Sequence, residues 1–488
     1  MTRRTIPPQP EPLPKRVFSS GFGIAIRTRS EEGDSDDNDR ASPSSHHKKP
    51  SFTIIITGLL IPGDGPPLKD AALVIENKLI AWVGAQSDLP PEYTGSPTNT
   101  DGSSRPCKSY SVPYLMPGLW DCHAHFFGLG ASASDYLAII TDHPAASGAR
   151  LAKGCWEALQ RGYTSLRDLA GYGCEVSRAI AEGSIVGPNV YSAGACISQT
   201  GGHGDVFELP AGDALLNLGV AGNSVAAGHF GTATTVLADG VDECRKAVRL
   251  QIRRGARVIK VMASGGVMSR DDDPLCAQFS AEELRTIVEE AARQNRVVAA
   301  HVHGKPGILA AVRAGVATVE HVSFADQECI DLIKEKGTVY VATRTVVELL
   351  LQSGGKGLPR QQWEKAQLIG NNNFEAYKLA VKAGVPIALG TDTAPGFNMA
   401  LELEYAVQAG LSNLEAIKAA TANGPLTVKG QAPKTGQLKV GYEADILGLL
   451  ENPVEDVKVL QDKATIGWVW KGGKIYKGPG VGPWGEES

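Results

Sequence analysis

The sequence predicts an α/β protein: a (β/α)8 TIM-like barrel carrying a small β-sandwich domain built from both chain ends. Three observations lead there. Short apolar runs alternate with helical stretches through the centre of the chain, and strict βα alternation implies a parallel sheet. Eight such units over about 280 residues match an eightfold barrel. Both margins are β-rich and unlike the centre: FTIIITGLLIPGDG and AALVIENKLIAWVG near the start, ADILGLLENP and IGWVWKGGKIYKG near the end.

Taken in order, residues 1–50 read as a disordered, low-complexity tail. Prolines crowd its start, EEGDSDDNDR follows, and then SPSSHHKK. Such a segment buries too little apolar surface to offset its ordering entropy. His46 and His47 are read as solvated rather than as a metal site. Residues 51–114 with 434–488 form the expected composite β domain, and 115–433 the barrel. The eight strand candidates are YLMPGLWDCH (114–123), TSLRDLA (164–170), PNVYSAG (188–194), VIKVMAS (258–264), VVAAHVH (297–303), TVEHVS (318–323), VYVATR (339–344) and IALGTD (387–392). Helical patterns such as DECRKAVRLQIRRG and SAEELRTIVEEAARQN lie between them, the second opening on a Ser280/Glu283 capping box. Gly162, Gly255, Gly315 and Gly384 each follow a helix and precede a strand, as helix-ending glycines do. No GxGxxG follows the first strand, which weighs against a doubly wound dinucleotide fold.

Composition bounds the function. The 488 residues carry a net charge of −5, which leaves no general basic footprint for nucleic acid. No apolar run reaches the ~18 residues of a membrane span. The first residues, MTRRTIPPQPEPLPKR, have the charge of a signal peptide without its apolar core, which predicts a cytoplasmic location. Eight scattered cysteines with no CxxC pair read as buried thiols rather than a disulfide framework.

In a barrel the chemistry sits at the C-terminal ends of the strands. Those ends read His123 and His125, Lys260, His301 and His303, His321, Arg344 and Asp392. Five of the ten histidines fall there, and packing alone gives no reason for it. Residues i and i+2 share a strand face, so His123 and His125 can address one ion. His301 or His303 is the next ligand, and spacing does not separate them. Asp392 follows a nearly apolar run, where a charge is costly unless paired or on a metal. Lys260 alternates with Ile259 and Val261. Either it pairs with a carboxylate, or its amine takes up carbon dioxide as a carbamate, an anion whose two oxygens can bridge two metals.

PGLWDCHAHF, the lone strand lysine of VIKVMASGG, AHVHG, VEHVS and LGTDTAPG together resemble the amidohydrolase superfamily, in its imidazolonepropionase-like and Xaa-Pro dipeptidase-like branch. GARLAKGCWEALQRGYTSLRDLAGYG, KVMASGGVMSRDDDP and GPGVGPWGE narrow the likeness to a fungal, amide-cleaving member. The resemblance covers the chain from about residue 52 to the end, and its motifs are specific as a set. It implies two zinc ions. His123, His125 and Asp392 would hold the more buried one, His301 and His321 the second, and carbamylated Lys260 would bridge them. It implies Asp392 as general base and then acid, with His303 donating to the carbonyl or to substrate. It also implies a homo-oligomer, up to an octamer. The loops FFGLGASASDY and NLGVAGNSVAAGHFGTATTV fit least well.

The expected activity is carboxypeptidase-like release of an amino acid, aromatic by preference, from an N-acyl amino acid or dipeptide. A prolidase-like dipeptidase and a cyclic-amide hydrolase are alternatives within enzymes. A metal-free barrel serving as a scaffold is the alternative outside them. Arg344 is read either as a fork for a substrate carboxylate or as half of a salt bridge to a barrel glutamate. His203, in QTGGHGD, is read either as a pocket residue or as a solvated loop histidine. Deleting residues 1–45 is expected to leave thermal midpoint and turnover unchanged, because no core or site residue is predicted there. A large fall in the midpoint, read by differential scanning calorimetry, would show that the tail docks on the folded body.

Overall fold

The computed structural model describes residues 51–94, 106–129, 137–220 and 234–486. The predicted tail and parts of both poorly matching loops lie outside them. Seven strands from the two ends of the chain form one continuous sheet, in the order β16-β15-β14-β4-β1-β2-β3. They are β1 (Phe52–Leu60), β2 (Leu68–Glu76), β3 (Leu79–Ala85), β4 (Cys107–Pro117), β14 (Ile446–Leu449), β15 (Ile466–Lys471) and β16 (Lys474–Lys477). The expected β-sandwich is thus a single sheet that curls on itself. The Ile80 N–H donates to Tyr442 O and the Ala444 N–H to Lys78 O, both at 2.8 Å. Ile55, Leu73, Ile80, Val112, Ile446 and Trp470, drawn from six strands, share the core enclosed by the curl.

The central strands are parallel and nearly continuously buried, as expected of strands covered on both faces. β5 (Leu119–Phe126), β6 (Tyr163–Gly171) and β7 (Asn189–Ser192) form one sheet. β8 (Cys196–Ser198), β9 (Thr235–Leu237), β10 (Ile259–Met262), β11 (Val298–Val302), β12 (Thr318–His321) and β13 (Val339–Val341) form another, in the order β13-β12-β11-β10-β8-β9. Backbone bonds link the three-stranded sheet to the other on both of its sides. On one side the Arg257 N–H donates to Ser192 O (2.8 Å). On the other, the Ala388 N–H donates to Tyr340 O (3.0 Å) and the Cys122 N–H to Leu389 O (2.8 Å).

Three expectations change. The first predicted strand is two strands, because the chain leaves the curled sheet at Gly118 and enters the parallel one. The eighth, 387–392, is an extended segment with isolated bridges rather than a regular strand. Its backbone turns left-handed at Asp392 (φ 60°), which breaks the ladder. β8 and β9 were not foreseen, since three residues are too few to show a period. The helical readings stand. Ser280 caps the helix Ala281–Arg293 in a full capping box, and Gly255, Gly315 and Gly384 close their helices in the left-handed conformation.

Gly118 sits at the crossing from one sheet to the other. A Cβ there would lie 2.1 Å from Thr164 Oγ1 and 2.7 Å from Thr164 Cβ, a short side chain with no room to yield. Gly118→Ala is therefore expected to cost about 1–3 kcal/mol through overpacking. A thermal-unfolding midpoint equal to that of the unmutated chain would show that the crossing can relax.

Candidate active site

Five strand ends, the extended segment 387–392 counted as one, deliver one or two polar side chains each to a common point. On β5, His123 and His125 share a face, with ring centroids 5.2 Å apart. Asp392 lies beside both, its Oδ1 at 2.8 Å from His125 Nε2 and 3.5 Å from His123 Nε2. Its Oδ2 is 4.0 Å from His321 Nδ1. Ligand atoms of His123, His321 and Asp392 all lie within 4.8 Å of one another, close enough to share one metal ion. The His301 ring is 4.5 Å from that of His321 and 4.7 Å from that of His303. Lys260 Nζ is 3.5 Å from His123 Nε2.

Neighbours fix which ring nitrogen faces inward. His123 Nδ1 meets Glu320 Oε2 at 2.9 Å. A carboxylate only accepts, so Nδ1 carries the proton and Nε2 keeps its lone pair. Glu320 is itself held by the Arg167 guanidinium at 2.7 Å, and both side chains are fully buried. His301 Nε2 meets Gly265 O at 3.2 Å, which leaves Nδ1 as the nitrogen available to an ion. Thr343 Oγ1 holds His321 Nδ1 at 2.7 Å, and Ser323 Oγ holds His303 Nδ1 at 2.8 Å. Among the described residues, eight non-glycine residues have positive φ, and His321, Val322, Thr343 and Asp392 of this site are four of them. Such conformations persist only where the surroundings dictate them.

Burial keeps the imidazoles neutral. Desolvation, with the Lys260 charge adding to it, pushes His123 down to about 4. Burial and the nearby His203 push His303 to about 3, and His301 and His321 also fall well below the ordinary range. Burial lowers the Lys260 ammonium as well, against the charges of Glu320 and Asp392. Burial opposes ionisation of Asp392, but the surrounding His123, His125 and Lys260 outweigh it and hold the carboxyl below the usual range. The result is a set of neutral nitrogen donors around a carboxylate, which is what borderline-soft divalent metals take.

The group opens on a cavity of about 440 Å³. Its far walls are apolar, from Phe127, Leu129, Val206, Met268, Val347 and Leu350 among others. His303 and His203 both line it. His203 is therefore not a solvated loop residue. Its ring stacks on His301 with centroids 4.3 Å apart, and its Nδ1 is bonded to Ser269 Oγ at 2.7 Å.

Two sequence readings need correction. Arg344 does not reach the cavity. Its Nε bonds Glu348 Oε1 at 3.0 Å, and its Nη1 bonds Gly370 O and Asn373 Oδ1. It starts the helix Arg344–Gln352 and pairs with Glu348 one turn along, so it is the salt bridge of the two readings, made on its own helix. For Lys260, the ion-pair alternative finds no partner: among the described residues no carboxylate oxygen lies within 4.0 Å of its Nζ. The residues that orient the rings, Glu320, Arg167, Thr343 and Ser323, were missed. Glu320 carried one legible signal, a lone acid inside the apolar run TVEHVS; the others depend on folding.

The profile of the Amidohydrolase family matches residues 114–476. Ochratoxinase of Aspergillus niger is 61% identical over 437 residues, covering 89% of this chain and 89% of its own. The crystal structure of A. niger ochratoxinase superposes with a TM-score of 0.85 at 60% identity, covering 90% of this chain and 98% of that one. An imidazolonepropionase of Rhodococcus jostii (strain RHA1) is 24% identical over 438 residues, covering 85% of this chain and 90% of its own. The crystal structure of a Xaa-Pro dipeptidase with methionine bound in its active site gives a TM-score of 0.72 at 26% identity, covering 88% of this chain and all of that one (100%).

Because Glu320 holds His123 Nδ1, Glu320→Gln is expected to lower the affinity of the folded chain for added divalent metal by about 10–100-fold. Competition against a chromogenic chelator measures this. An unchanged affinity would mean that His123 is oriented by something else.

Proposed function

The chain belongs to the amidohydrolase family, and on that premise we propose that it is a binuclear-metal amide hydrolase of carboxypeptidase type. Its substrates are N-acyl amino acids with an aromatic residue, ochratoxin A among them. The observation that carries the reading is the convergence of four neutral imidazoles, Asp392 and a buried lysine, with no carboxylate among the described residues within 4.0 Å of it, at the polar end of an otherwise apolar cavity. The 61% identity to A. niger ochratoxinase supports the substrate assignment. The backbone bonds joining the three-stranded sheet to the other on both of its sides support a closed (β/α)8 barrel, and the family fold is a barrel of this kind.

The donor set fits zinc: His123, His125 and Asp392 would hold one ion, His301 and His321 the other, and Lys260 would serve both. When bound, such ions supply Lewis acidity, lowering the pKa of water and polarising a carbonyl. Lys260 contributes as a carbamate. Its neutral amine forms an N–C bond to carbon dioxide and releases one proton, so an uncharged buried amine becomes a singly charged anion with two oxygens. Asp392 acts as general base and then as general acid. It accepts a proton from the attacking water and returns it to the amide nitrogen as the C–N bond breaks. His303, with Nδ1 on Ser323, offers Nε2 to the substrate carbonyl oxygen. The apolar walls receive the aromatic flanks and exclude water.

A prolidase-like reading is favoured separately by the likeness to the Xaa-Pro dipeptidase. Assaying N-acyl-phenylalanine and an Xaa-Pro dipeptide side by side, with and without a chelator, separates the two. Preferred, chelator-sensitive release of phenylalanine is expected. Full activity after exhaustive chelation would sink the metal mechanism.

Asp392→Asn separates proton transfer from metal binding. Turnover is expected to fall by about 10²–10⁴-fold, while zinc stoichiometry on the same preparation falls less, because three other donors remain on that ion. Near-normal turnover with full zinc would remove Asp392 from the chemistry.

A further inference from the structure

The loop after β10, residues 265–273, is held from outside by one buried ammonium. Lys365, on the helix Arg360–Ala383, donates to Gly266 O (3.2 Å), Ser269 O (2.9 Å) and Asp272 Oδ1 (2.8 Å). All three ammonium hydrogens are thereby used. The Lys365 side chain is 9% exposed and that of Asp272 only 2%. Asp272 also accepts from the Gly266 N–H (2.8 Å) and from the Ser269 hydroxyl. Ser269 Oγ in turn holds His203 Nδ1, and His203 lies flat on His301. Gly266 sits directly under that ring, where a Cβ would lie 2.1 Å from it. The same helix supplies a second tie, from the Gln362 amide to Met268 O.

Val267 and Met268, at the apex of this loop, line the cavity. They join Val347 and Ile369 in one apolar cluster, with Trp363 packed beside it. Lys365 is not among the cavity-lining residues. Any effect it has on substrate is therefore indirect, through the loop it holds or through Ile369 on its own helix.

We propose that Lys365 is a positioning residue that sets substrate selectivity. With Asp272 and Ser269 it clasps the loop, so that Val267 and Met268 form a rigid wall for the bulky apolar flank of the substrate and His203 stays seated against His301. What the cavity receives rests on the amide-hydrolase reading above. The clasp is rigid because its charges are buried and mutually satisfied, so no partner can leave without stranding another. A small substrate that does not reach the wall is indifferent to it.

Two variants test this in the zinc-loaded full-length chain. Lys365→Met removes the ammonium and keeps the stem. Lys365→Gln removes the charge and, with two amide hydrogens, at least one of the three bonds, so it carries the test if Lys365→Met fails to fold. Each is compared with the unmutated chain on N-naphthoyl-phenylalanine and N-acetyl-glycine, and by hydrogen–deuterium exchange over residues 265–273. The ratio of the two KM values, bulky over small, is expected to rise at least about fivefold, with kcat falling by a smaller factor. Exchange over the loop is expected to accelerate. Equal KM changes on both substrates, a fall confined to kcat, or unaltered exchange overturns the clasp. If the unmutated chain cleaves neither compound, the amide reading falls, and the exchange measurement still decides whether the clasp holds the loop.

Discussion

The rest of the site depends on one buried ion pair, Arg167 with Glu320. Neither side chain is exposed, and together they touch four parts of the chain. Arg167, from β6, donates to Cys122 O on β5, to Thr318 Oγ1 on β12 and to Thr427 O beyond the parallel strands. Glu320, from β12, accepts from Arg167 and from His123. A charge pair taken out of water holds only if its hydrogen bonds are completed, and removing one partner strands the other at a cost of about 3–5 kcal/mol. Here the completing partners of Glu320 are His123 and the Thr318 hydroxyl. The same pair that joins three strands therefore also decides which nitrogen of His123 faces the cavity, and burial of Glu320 is offset by Arg167, which holds its carboxyl down at about 2.

The second constraint is desolvation. Four rings packed within 5.0 Å of a neighbour cannot all be charged in a dry site, so each stays neutral and each keeps a lone pair. Their hydrogen-bond partners differ in kind: a carboxylate, two hydroxyls and a backbone carbonyl. Each partner occupies one nitrogen and so directs the other. The left-handed backbone at His321, Thr343 and Asp392 does the remaining orientation, turning side chains off the strand ends that would otherwise continue the ladder. Site geometry and irregular strand ends are thus two aspects of the same local folding.

The cavity has a polar floor and apolar walls, and its second layer is as specific as its first. Arg344 illustrates the difference between a suitable residue and a suitably placed one. A guanidinium at a strand end suits a carboxylate ligand, but Glu348, Gly370 and Asn373 occupy its donors. Asp272 and Lys365, which are 93 residues apart, form instead the charged pair that borders the cavity loop.

The sequence by itself determined the alternation of strands and helices, the β-rich margins, and the residue types at five strand ends. Those features are written in local periodicity and in the cost of placing a charge at the end of an apolar run. The histidines, Lys260 and Asp392 were legible because polar side chains closing apolar strands are costly to bury without a partner. Only tertiary structure decided that no carboxylate among the described residues pairs with Lys260, that Arg344 turns away, that His203 stacks on His301, and that the marginal strands curl into one sheet. Contacts of this kind join residues far apart in sequence, as His203 with His301 across 98 positions and His123 with Glu320 across 197. Periodicity reports which face a side chain takes on its own strand. It carries no information about which distant group will meet it, because that is settled by how the strands are assembled.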